Sequence, residues 1–113
     1  MSQHVFWSTH SGRPVSIQLG WDAPLRHYFM VVAYGPMGES APRDWAEIVY
    51  SNLSDVEIEG GVSEPGYYWN KLAELGVECA MRSEIDQQLR VDARTNASDR
   101  IVRYDSSAGA NRP

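Results

Sequence analysis

The residues best placed to do chemistry in this chain are its carboxylates, and they are gathered in one place. Glu39, Asp44, Glu47, Asp55, Glu57, Glu59 and Glu64 fall in a single segment against one basic residue, Arg43. The remaining eight acids and nine bases nearly cancel, so the net charge of −5 belongs to the middle of the chain. Such a surface attracts a basic protein. It is poorly suited to coating nucleic acid, because phosphate capture depends on Lys and Arg displacing counterions. Glu57, Glu59 and Glu64 are therefore candidate contacts for a basic partner, carried on a solubilising loop. Towards the C-terminal end Arg82, Arg90, Arg94, Arg100 and Arg103 alternate with Glu84, Asp86, Asp92 and Asp99. That alternation predicts a salt-bridged helix face. Arg100 and Arg103, brought together by folding, are the candidate contacts for a phosphate or an acidic partner.

Aromatic residues are the second unusual feature. Four tryptophans and six tyrosines occur in 113 residues. Trp7, Trp21, Trp45 and Trp69 lie in four different expected elements, which suits a core and a dimer contact. Tyr67, Tyr68 and Trp69 are consecutive, and neighbours on a helix diverge by about 100°, so at least one of them faces outward. Tyr67 and Trp69 are accordingly candidate binding residues.

The reactive side chains form no known machinery. His4, His10 and His27 match no compact ligand spacing, and the lone Cys79 is distant in sequence, so no metal site is expected. His10 and His27 both fall near turns and would approach if the first three strands pair. There is no nucleophile elbow, phosphate loop or dinucleotide fingerprint. Cys79 has only Arg82 nearby to lower its pKa, which favours a buried or incidental thiol. No catalytic residue and no cofactor is expected.

The elements that must position these residues follow from periodicity. Residues 4–9 are β-branched and aromatic and predict a strand. Ser11-Gly12-Arg13-Pro14 is a turn. Val15, Ile17, Leu19 and Trp21 alternate with Ser16, Gln18 and Gly20, giving a strand with one buried face. Tyr28 to Tyr34 is uniformly apolar, as in a central strand. Connections this short demand antiparallel pairing. Gly35 to Asp44 is a glycine- and proline-rich loop. Trp45 to Tyr50 fits a helical turn or a fourth strand, with Ile48-Val49-Tyr50 favouring the strand. Asn52 to Gly61 reads as an exposed excursion.

Pro65 opens a helix in which Tyr68, Leu72 and Leu75 share a face, and Gly76-Val77 suits a Schellman ending. A second helix over 83–96 carries Ile85, Leu89 and Ala93, with Ser83 and Asp86 resembling a cap. Residues 100–105 form a last strand, and 106–113 are expected to be a disordered tail. The order β-β-β-(β)-α-α-β predicts one α+β domain over 1–105. It is an antiparallel sheet of four or five strands with two helices on one face.

No apolar run approaches the roughly 20 residues of a membrane span, and the first residues lack the pattern of a secretory signal. A single cysteine suits a reducing cytoplasm. Trp21-Asp22-Ala23-Pro24-Leu25, Val49 to Asp55, Lys71 to Val77 and Arg100 to Asp105 resemble signatures of a group of small uncharacterised bacterial proteins often carried on plasmids and other mobile elements. The resemblance spans most of residues 4 to 105. It implies an accessory role in plasmid maintenance, conjugation or interference with a host system, and brings no activity.

Arg100, Arg103 and Tyr104 also resemble the Arg and Tyr groups that RelE- and ParE-like toxins use on RNA. Those toxins, however, are basic and begin with two helices, whereas this chain is acidic and begins with strands. The expectation is a non-enzymatic homodimer that binds a macromolecule. The alternative is a RelE-like nucleic-acid binder or small endoribonuclease.

Overall fold

The computed structural model describes residues 2–34, 48–58 and 61–104. Strand β1 (Ser2–His10) and strand β2 (Arg13–Asp22) pair antiparallel from Ser2↔Trp21 to His10↔Arg13. Only two residues join them. Ser11 and Gly12 both take positive φ, at 54° and 79°, and that primed-turn geometry matches the twist of the strands it joins. Strand β3 (His27–Tyr34) runs antiparallel to β2, and strand β4 (Ile48–Ser51) antiparallel to β3. The segment from Trp45 to Tyr50 is thus a strand from Ile48 onward; Trp45 itself lies outside the described residues.

A 3-10 turn (Asn52–Ser54) leads to helix α1 (Gly66–Leu75) and helix α2 (Arg82–Thr95). Strand β5 (Arg100–Arg103) ends the described fold, and the sheet order is β4-β3-β2-β1-β5. This is the α+β architecture expected from the sequence, with one refinement. β5 lies parallel to β1, from Ser2↔Arg100 to Val5↔Arg103, so the sheet is mixed. The long path through two helices lets the chain return in the same direction as β1, which a hairpin cannot do.

The alternation of β2 buries what it predicts. Val15, Ile17 and Leu19 are fully buried, with Phe6 of β1 and Met30 and Val32 of β3 beside them. Tyr68, Trp69 and Leu72 of α1 and Ile85 and Leu89 of α2 close the same cluster. Each fully buried side chain of this size contributes about 1.5–3 kcal/mol. Two buried tyrosine hydroxyls find partners: that of Tyr28 donates to the Leu89 carbonyl at 3.3 Å, and that of Tyr68 to the Tyr28 carbonyl at 3.0 Å. The Trp7 indole N–H is buried without a hydrogen-bond partner.

Helix α1 ends as its sequence predicts. Gly76 is left-handed (φ 75°), and the Val77 N–H donates to the Leu72 carbonyl at 2.9 Å. The start of α2 differs from expectation. It begins at Arg82, and the cap residue is Met81, which makes no side-chain bond. The excursion after β4 is also less exposed than its composition suggests: Asn52 is buried, and its side-chain oxygen accepts from the Met30 N–H at 3.2 Å.

Candidate functional site

Two constellations emerge from the fold. The first is a buried polar chain that joins β1, α2 and β5. His4 and Asp92 are 0% and 1% exposed, and His4 Nε2 lies 2.6 Å from Asp92 Oδ2. A carboxylate can only accept, so Nε2 carries the proton and Nδ1 is left as an acceptor. The Tyr104 hydroxyl, 2.8 Å away, donates to it. The other Asp92 oxygen accepts from Arg100 Nη1 at 2.6 Å, and Arg100 Nη2 donates to Gln88 Oε1 at 2.7 Å. Burial holds the His4 pKa below its ordinary 6.5, against the opposing pull of Asp92. Histidine between carboxylate and phenol can relay protons, but neither described cavity is lined by any of these groups. Every ring nitrogen and carboxylate oxygen in the chain is directed at another member of it. The geometry is that of a structural clasp.

The second constellation is half-exposed, where the end of β4 meets α1. The hydroxyls of Tyr50 and Tyr67 both donate to Asp55 Oδ2, at 2.6 and 2.7 Å. Tyr67 also reaches Glu57 Oε1 at 3.4 Å. These phenol bonds, Tyr50's foremost, hold the Asp55 carboxyl below the usual carboxylate range. Both phenols are pushed above the ordinary tyrosine value, Tyr50 mainly by burial and Tyr67 mainly by its bond to Asp55. Lys71 places its ammonium 5.7 Å from the Tyr50 ring centre and 5.6 Å from that of Tyr67, within cation–π range. Leu53 and Val56 protrude from the same excursion, 78% and 87% exposed. A small cavity of about 210 Å³, lined by residues 48–51, Ser54 and Asp55, opens beside it.

The candidates named from sequence divide between these places. Tyr67 and Glu57 belong to the half-exposed cluster, and Tyr67 is the outward member of its aromatic triplet. Trp69 is buried, its indole N–H donating to Asp86 at 2.8 Å. Glu64 stands apart at the surface, 3.2 Å from Arg90. Glu59 lies outside the described residues.

Arg100 and Tyr104 face inward on the clasp, while Arg103 remains exposed on β5. The first two are therefore engaged where an RNA contact would need them free. His10 and His27 do not meet. They mark opposite ends of β2, His10 opposite Arg13 and His27 opposite Asp22. Among the described residues no three His, Cys, Asp or Glu side chains gather to hold a metal ion. No described helix is long and apolar enough to cross a membrane.

Sequence reasoning missed the convergence of Tyr50 and Tyr67 on Asp55, because the two tyrosines lie in different elements. The signal for His4 was its place among strand residues, where a lone polar side chain on a buried face needs a partner. With this geometry in view, comparison with family models, with curated proteins and with solved structures finds no match.

Proposed function

We propose that this chain is a non-catalytic binding protein that presents the Tyr50–Asp55–Glu57–Tyr67 surface to a basic segment of a macromolecular partner, in the cytoplasm. The observation that carries this reading is the single carboxylate fixed by two phenols beside a second carboxylate. Its own charge is maintained by those bonds, and its direction is set by two aromatic rings. Lys71 supports the same chemistry from within, since an ammonium already rests over both rings. The exposed Leu53 and Val56 add apolar contact area next to the charge, as interface cores require.

A lysine- and arginine-rich peptide is the probe. Its affinity, followed by calorimetry at two salt concentrations, is expected to fall at least tenfold in the Asp55→Asn/Glu57→Gln variant and to weaken with salt. A variant that binds as tightly as the parent, or a parent that binds an acidic peptide equally well, would overturn the reading.

A further inference from the structure

A cavity of about 450 Å³ lies where α1 ends and the chain turns into α2. Trp69, Leu72, Ala73, Gly76, Val77 and Cys79 line it together with the charged Glu78 and Arg82. The volume falls in the range of small-molecule sites, and the lining is mixed, with apolar side chains meeting the charged Glu78 and Arg82. The charged pair is the informative part. Arg82 holds its guanidinium carbon 5.3 Å from the centre of the Trp69 ring, and among the described residues it has no carboxylate within ion-pair distance. Glu78 is likewise without an ion pair there, so the two opposite charges do not neutralise each other by contact. Arg82 is also the first residue of α2, where no side chain caps the helix and Glu84 in the same first turn offsets part of the positive field of the helix start.

From this we propose that the cavity is a binding site for a small monocarboxylate with a compact aromatic or branched aliphatic body. The carboxylate pairs with the Arg82 guanidinium, whose planar fork matches it in a bidentate arrangement. The apolar body enters the chamber between Leu72, Ala73 and Val77, against the edge of Trp69. The left-handed turn at Gly76 shapes the mouth by folding Val77 back over α1. The site is separate from the acidic cluster and does not depend on the function proposed for it.

The test is a titration of the full chain with 3-phenylpropionate, alongside its amide and the matching primary amine, followed by amide and indole resonances in NMR. The acid is expected to move the Trp69 indole N–H and the Gly76 and Val77 amides, with a Kd of about a millimolar or tighter for a ligand of this size. The amide is expected to bind at least tenfold more weakly. Arg82→Gln, an exposed substitution, is expected to weaken the acid at least tenfold, and Glu78→Gln to tighten it by removing the opposing charge. Ala73→Trp, which fills the chamber, is expected to abolish binding of all three compounds. Absence of any shift at these resonances at 10 mM acid (about ten times that Kd), equal binding of amide and acid, or shifts confined to another surface would each overturn the proposal.

Discussion

His4 is an ionisable side chain enclosed on every side: Asp92 holds one ring nitrogen, Tyr104 the other, and Arg100 lies just beyond Asp92. Its folded pKa lies below 6.5, burial being the larger influence. Between that depressed value and 6.5 the unfolded chain binds more protons than the folded one, so stability rises with pH across this window. The contribution of His4 is fully present above 6.5 and is lost as the pH falls through the folded value. Urea unfolding of the parent is expected to weaken on acidification from pH 7 into this window, and His4→Gln is expected to flatten that slope. An unchanged slope would mean that another group sets the acid sensitivity. Sequence alone showed a histidine within a strand. It did not show the partners, because Asp92 and Tyr104 are 88 and 100 residues away and only the sheet and helix packing brings them in.

At the level of elements, the patterns with a short period were legible and the encounters between elements were not. The alternation of β2 and the glycine ending of α1 follow from local chemistry, and both appear where they were expected. The parallel arrival of β5 depends on the route through two helices, and no local pattern encodes it. The start of α2 lies one residue before the Ser83 that the sequence suggested, and its cap is Met81, a residue with no capping side chain. Packing between strands also decides one glycine. A Cβ on Gly20 of β2 would collide with the Ser2 carbonyl of β1 and lie 2.8 Å from the Phe29 ring. The backbone atom cannot yield without breaking the ladder at Ser2↔Trp21. Gly20→Ala is expected to cost about 2 kcal/mol, as overpacking does, and to lower Tm by roughly 10 °C in a domain of this size. A thermal melt within two degrees of the parent (less than about 0.5 kcal/mol) would show that the strands separate more easily than the packing implies.

For the molecule as a whole, the clasp matters more than its size suggests, because it ties together the first strand, the last strand and the second helix. Removing one partner from a buried charged group typically costs about 3–5 kcal/mol, and the partial exposure of Arg100 places this case at the lower end. Asp92→Ala is expected to destabilise the domain by about 3 kcal/mol on that scale. Tryptophan fluorescence and far-ultraviolet dichroism should shift together, since the residues involved span the fold. Separate transitions for the two signals would mean that the β5 edge opens on its own. Charge segregation was the one whole-molecule property that composition revealed. It pointed to the acidic segment, and within the described part of that segment the structure gathers Asp55 and Glu57 under two tyrosines.

The same clasp sits across the seam between β1 and β5, and the direction of that seam has a mechanical meaning. Because the two strands run side by side in the same sense, tension applied at Ser2 and at Tyr104 pulls along the seam in opposite directions. Every hydrogen bond of the ladder then bears load at once, together with the His4–Asp92 contact, instead of parting one after another like a zip. The domain is in this way built to resist being stretched between the start of β1 and the end of β5.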